Sequence, residues 1–183
     1  MASALKKIQD RLSAKQRVLI GLPAGTGNYE DGTPIVVIGA VQEFGGTIQH
    51  PGGTSYGYQN EEGATAKRVR FLKKGADANR LGVTGPHTIT IPERSFLRVP
   101  LRQNQDNIKK AFRALTGAVA RGEISAFQML DQIGAKAAGY CQEAIEAGIQ
   151  PANAESTVKA KGSATPLINH GTLKGKITHV VED

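Results

Sequence analysis

Short β-branched runs near both ends of the chain, two long amphipathic helical patterns and a glycine-rich stretch before them predict an α+β fold. The expected arrangement is a small, mostly antiparallel sheet packed against helices, with a projecting hairpin arm. At 183 residues the chain suits a single domain spanning 1–183, from which residues 46–86 extend as a loop or hairpin arm. Hydrophobic residues make up 39%, Trp is absent and Gly reaches 22, so much of the chain must be turn, loop or extended arm.

Leu5, Ile8 and Leu12 recur at helical spacing, with Lys6, Lys7, Arg11 and Lys15 elsewhere on the cylinder. That pattern predicts an amphipathic N-terminal helix with a narrow apolar stripe. Val18 to Leu22 reads as a buried strand, ended by Pro23 and the turn-rich Gly25 to Asn28. Thr33 then suits an N-cap and Pro34 a first helical position for a short helix from Ile35 to Phe44. This helix is apolar nearly all round, so it is expected to be covered on most sides, and Gly45 supplies a left-handed stop.

Gly46 to Asn60 reads as a loop with a brief strand at Thr47-Ile48-Gln49. Lys67 to Leu72 alternates charged with apolar side chains, and Thr88 to Ile91 is a second strand pattern. The two are expected to pair as a long antiparallel hairpin whose turn lies within Gly75 to Pro86. After Pro100, the stripe Ile108, Phe112, Leu115 and Val119 predicts a helix that Gly122 ends. Ser125 can cap the next helix, which carries Phe127, Leu130, Ile133, Ala137, Cys141 and Ile145 on one face up to Gly148, with Pro151 as a breaker beyond. The short connection between these helices predicts that they pack together. A polar segment, a helical turn around Leu173 and a closing strand from Ile177 to Val181 complete the chain.

The net charge is +7, with basic residues gathered at Lys67 to Lys74 and Lys159 to Lys176. Such clusters are either solvated faces or contacts to a polyanion or an acidic protein surface. Cys141 is the only cysteine, which excludes an internal disulfide, and its spacing is that of a small buried hydrophobe. Residues 1–16 lack the continuous apolar run of a signal peptide or membrane span, so the expectation is a soluble protein, cytoplasmic when made.

The catalytic patterns are weak. His50, His87, His170 and His179 have no paired metal-ligand spacing. Gly21 to Gly27 is glycine-rich after a strand but lacks the Lys-Ser/Thr of a phosphate-binding loop, and acidic Glu30 and Asp31 follow. Ser95, His87 and Asp77 or Asp106 assemble into a triad only on paper, because nothing sets Ser95 on a strained elbow between flanking glycines. The expectation is therefore no catalytic residue, no cofactor and no metal.

The segment Ile91-Pro92-Glu93-Arg94-Ser95-Phe96-Leu97-Arg98 carries the most information. Pro92 ends a strand because it cannot donate to the ladder, and burial of Phe96 anchors the turn by about 2–3 kcal/mol. Arg94 and Arg98 flank that anchor and are candidates to reach carboxylates on a neighbouring subunit, since guanidinium forms bidentate pairs suited to interfaces. Lys67, Arg68, Arg70, Lys73 and Lys74 form a second candidate contact surface, whose alternating charge also discourages aberrant strand pairing. No groove-reading motif is present, so any DNA contact is expected through backbone charge alone.

With Glu43-Phe44-Gly45 upstream and Pro166-Leu167-Ile168 downstream, that segment resembles the tail-completion and virion-morphogenesis proteins of long-tailed bacteriophages. In that family an "EFG" ends a short helix, an "IP-x-R-x-F-L/F-R" segment follows, and a "PLI-x-x-G-x-L-x-x-x-I" run lies near the C-terminus. The likeness extends from Val18-Leu19-Ile20-Gly21 and Asp31-Gly32-Thr33-Pro34 to the final strand. Asn169-His170 departs from a frequent Asp-Thr, and Ser95 from a frequent proline.

The resemblance implies a non-enzymatic component of the virion neck, made in the host cytoplasm. It would dock on the tail tube protein and join it to the head connector or other neck proteins, as a homo-oligomeric, six-fold ring. Phe44, Phe96, Leu167 and Leu173 are its expected structural anchors. A domain of this length has a diameter of roughly 40 Å, and six touching spheres leave a hole of about one sphere diameter, wide enough for non-specific contact with DNA in the channel. The alternatives are a head-side neck adaptor, another minor tail component, or a non-specific basic nucleic-acid-binding module.

Overall fold

The computed structural model describes residues 2–13, 15–67, 69–73, 79–161, 163–168 and 171–182. Among them the order is α1 (Ala2–Leu12), β1 (Arg17–Gly21), α2 (Ile35–Phe44), β2 (Gly46–His50), β3 (Ser55–Tyr58), α3 (Glu61–Thr65), β4 (Arg70–Phe71), β5 (Asn79–Val83), β6 (His87–Ile91), α4 (Arg98–Gln103), α5 (Gln105–Arg121), α6 (Ala126–Ala147), α7 (Glu155–Lys161), α8 (Thr172–Gly175) and β7 (Thr178–Glu182). The fold is α+β. The chain divides into two compact units, one formed by Met1–Gly45 with Pro92–Asp183 and the other by Gly46–Ile91.

In the first unit β1 and β7 form an antiparallel ribbon in which Leu19 faces Val180 and Ile20 faces His179. The ribbon lies on α6. Gly134 sets the distance, because a Cβ there would come within 2.5 Å of the His179 ring and 2.6 Å of Val18. Ser125 caps α6 through a reciprocal pair: its Oγ accepts from the Gln128 amide at 3.1 Å while Gln128 Oε1 accepts from the Ser125 amide at 2.9 Å. Gly122 ends α5 as expected and does so in the left-handed conformation, at φ 80°.

The core of this unit gathers Ile35 of α2, Phe96, Ala138, Cys141 and Ile145 of α6, Leu173 of α8 and Ile177. Leu22, Leu97, Leu101, Leu167 and Ile168 pack against it. Gly39 lets α2 approach, since a Cβ there would run into Leu22. Cys141 is fully buried, as its spacing predicts, and burial followed by the charge of Glu43 pushes its thiol up to about 11.

Two expectations for α2 need correction. Pro34 is the N-cap, with extended backbone, and Thr33 makes no cap; its amide instead donates to Asp31 Oδ1 at 2.9 Å. The helix is also not covered on most sides, for Val36, Val37 and Phe44 are exposed. The side of the helix that is buried carries Ile35, Gly39 and Glu43.

The second unit contains an antiparallel ribbon, β2 with β6, and a three-stranded sheet in the order β4-β3-β5. The expected hairpin between Lys67–Leu72 and Thr88–Ile91 does not form. β6 pairs with β2, placing Ile89 opposite Ile48 and His87 opposite His50, while β4 pairs with β3. The apolar pair Ile48 and Ile89 and the stacked rings of His50 and His87, centroids 4.8 Å apart, favour that register. Among the described residues the strands form three small antiparallel sheets, and those of 46–91 pair among themselves. Among the described residues of this unit only Gly57 is buried, so it has no side-chain core comparable with that of the first unit.

Candidate functional site

The segment 91–98 is organised by a residue that the sequence reading passed over. Glu43, at the last turn of α2, is 3% exposed, and its carboxylate gathers the chain that leads into α4. Oε1 accepts from Ser95 Oγ at 2.7 Å, the Arg98 amide at 3.1 Å and Arg98 Nε at 2.9 Å, while Oε2 accepts from the Leu97 amide at 2.9 Å. Burial alone would raise the carboxyl, but the donors of Ser95, Leu97 and Arg98 outweigh it and hold the group below the ordinary glutamate range. The signal was present in the sequence: Glu43 is the lone charged residue of a mostly apolar helix.

Ser95 is fully used in this knot, donating to Glu43 and accepting from the Val99 amide at 3.2 Å. Its hydroxyl holds a helix start. Phe96, 0% exposed, drives into the core beside it, as an anchor should. Leu173 is likewise buried at 3%, and Leu167 is half-buried against the same core at φ 62°, a left-handed conformation uncommon for a bulky residue. Phe44 is not an anchor. It is 62% exposed, and what it meets is the Arg98 guanidinium, 4.4 Å from its ring centroid.

The two arginines differ from expectation and from each other. Arg94 is 8% exposed, and its guanidinium satisfies carbonyls within its own chain: Nε donates to Pro151 O at 2.8 Å and Nη2 to Ala152 O at 3.0 Å. Its amide donates to Gln42 O at 2.7 Å. Burial lowers its pKa. As an outward-reaching interface residue Arg94 is therefore corrected to an internal clamp between α2 and the 151–152 turn. Arg98 is pulled in by Glu43, which raises its pKa, and also donates from Nη2 to Glu93 Oε1 at 2.7 Å and to Glu43 O at 2.9 Å. Its side chain stays 42% exposed, so one face remains open beside Phe44.

Of the basic cluster, Lys67, Arg70 and Lys73 are exposed in the second unit, and Arg68 and Lys74 lie outside the described residues. Asp77, named in the paper triad, also lies outside them. Arg80 belongs with the cluster although sequence reasoning missed it. Gly57 pairs with Arg70 on one neighbouring strand and with Arg80 on the other, so two basic residues flank it in the register of the sheet. Gly57 is required there, since a Cβ would come within 2.9 Å of Arg80 Cα. In the first unit Arg102, Lys109, Lys110 and Arg113 are exposed along α4 and α5, opposed by Asp106, which pairs with Lys109 at 3.7 Å.

Among the described residues no group of three or more His, Cys, Asp or Glu side chains is placed to hold a metal ion. None of their helices is long and apolar enough to cross a membrane. Comparison with protein-family models, curated proteins and solved structures finds no match to this chain.

Proposed function

We propose that this chain is a structural component of the neck of a long-tailed bacteriophage, a tail-completion or tail-terminator subunit. In this reading it forms a six-fold ring that docks on the tail tube and joins it to the head connector, and it carries out no catalysis. One observation carries the reading: the three separated motifs on which the resemblance rests are parts of one piece of architecture. Glu43 of the "EFG" holds Ser95, Leu97 and Arg98 of the "IP-x-R-x-F-L-R" segment. Phe96 of that segment shares its core with Leu173 and Ile177 of the "PLI-x-x-G-x-L-x-x-x-I" run. Short motifs that agree by chance have no reason to interlock. The test is imaging of the purified chain alone and mixed with tail tubes: rings at tube ends support the role, and a monomer indifferent to tubes opposes it.

A second reading, a basic module that holds nucleic acid by its backbone, is favoured by the exposed stripe of Arg102, Lys109, Lys110 and Arg113 and by the Arg70 and Arg80 pair. Salt dependence separates the two. Tight duplex binding by the isolated subunit, falling steeply with salt, would favour the module. Weak binding that becomes measurable only in the assembled ring fits a channel lining.

A further inference from the structure

The ribbon of β2 with β6 and the pairing of β3 with β5 are two parts of one arm. The register runs from Gly46 opposite Ile91 to His50 opposite His87, and it resumes with Ser55 opposite Val83 as β3 and β5 carry the same two strands on. Residues 51–54 and 84–86 are therefore a joint. Three hydrogen bonds close it: the Gly53 amide donates to Thr84 O at 2.8 Å, the Thr84 amide to Thr54 O at 2.9 Å and the Thr54 amide to Thr84 Oγ1 at 3.2 Å. Gly52 lies so close that a Cβ would come within 2.5 Å of Thr84 O, and Gly52 and Gly53 both sit at φ 83°, where a side chain is disfavoured.

The two histidines beside the joint are tied to it in opposite senses. The Gly52 amide donates to His50 Nδ1 at 3.0 Å, so that nitrogen holds a lone pair and the ring proton is on Nε2. His87 Nδ1 lies 2.9 Å from Gly85 O; a carbonyl only accepts, so here Nδ1 carries the proton. The rings stack with centroids 4.8 Å apart. His87 can take up a second proton and keep its bond. His50 cannot, because an imidazolium has an N–H at both nitrogens.

No anion within the arm offsets such a charge. Neither 46–58 nor 79–91 contains Asp or Glu, and the other titratable side chains there are Tyr56, Tyr58 and Arg80. The elements packed on β3, which are α3 and β4, bring Glu61, Glu62 and Arg70 to the end of that strand away from the histidines.

We propose that His50 and His87 form an acid-sensitive latch that holds β3 and β5 in line with β2 and β6. With His50 neutral the latch is closed. Protonation of His50 replaces the acceptor of the Gly52 amide by a second N–H, and once His87 is charged as well, two cations face each other across the ladder. Gly52 then leaves Thr84 and the joint opens. The direction is fixed by the chemistry: closed at neutral pH, opening as imidazoles take up protons. The latch belongs to the single subunit, so its test is separate from that of the ring.

The test is amide hydrogen exchange of the full-length chain at about pH 7.5 and about pH 5.5, corrected for the intrinsic exchange rate at each pH. Protection of the Gly53 and Thr84 amides is expected to fall about threefold to tenfold in acid, the size of one lost hydrogen bond, while α6 keeps its protection. His50→Asn places a side-chain oxygen that accepts from the Gly52 amide at either pH, and it is expected to abolish the change.

A joint equally protected at both pH values in the parent would overturn the latch, as would an equal fall in His50→Asn. A fall shared by α6 would assign the change to acid unfolding and overturn it too. Nitrogen-15 spectra of the parent's imidazoles give a readout that depends on no variant. At about pH 7.5 the expected tautomers are Nε2–H for His50 and Nδ1–H for His87, and the same tautomer in both would overturn the latch.

Discussion

Arg98 holds Glu43 by both its side chain and its main chain: Nε donates to the carboxylate at 2.9 Å and Nη2 to the carbonyl oxygen at 2.9 Å. The end of α2 and the start of α4, more than fifty positions apart in sequence, are thereby fastened at one point. Glu43→Gln places an amide NH₂ among donors and is expected to lower stability by ~2 kcal/mol or more in urea unfolding, because buried donors lose their acceptor.

The same carboxylate predicts an acid limit. Its folded-state pKa is held below the ordinary value, so its contribution is present above about pH 4.3 and is lost as pH falls through the folded value. Unfolding curves from pH 7 downward are expected to show the gap between parent and Glu43→Gln narrowing below that point. A gap that is constant down to the acid transition would contradict the assignment.

Arg94→Ala is expected to destabilise the isolated subunit by ~1–3 kcal/mol, since the carbonyls of Pro151 and Ala152 lose their donors. Arg94→Lys keeps the charge but not the planar fork that reaches both, so it is expected to recover only part of the loss. A melting temperature equal to the parent's in Arg94→Ala would place this side chain outside the fold's support.

Phe96→Ala is expected to cost about 3–5 kcal/mol because the ring is fully enclosed. Phe44→Ala, removing a ring that is 62% exposed and touched by Arg98, is expected to cost no more than ~1 kcal/mol. Equal losses would mean that Phe44 is covered in the folded subunit.

Limited proteolysis of the free subunit is expected to cut within 46–91 before it cuts the first unit, because only Gly57 is buried among the described residues of that unit. First cleavage in α5 or α6 would contradict this ranking of local stability.

The longer helices were legible because their signals are local, whereas the short α3 and α7 were not anticipated. The 3.6-residue stripe of α5, that of α6 from Leu130 to Ile145 and the positions of the stops at Gly45 and Gly122 sit where the residues direct them, while Phe127, expected on the same face of α6, is exposed. Strand partners were not legible. Alternation in Lys67 to Leu72 says which side chains share a face but not which strand lies alongside, and β6 found β2 through Ile48 and His50. The roles of Arg94 and Phe44 were exchanged for a related reason. Whether a side chain is buried depends on what the distant 151–152 turn and the Arg98 head group bring to it, and neither is encoded in local spacing.

The most direct test of the proposed neck role is electron microscopy of the purified chain incubated with tail tubes that lack their terminal protein. Rings are expected to seat on one end of the tubes, with a central opening wide enough for a DNA duplex. A chain that remains monomeric and leaves both tube ends bare, under conditions where it is fully folded, would contradict it.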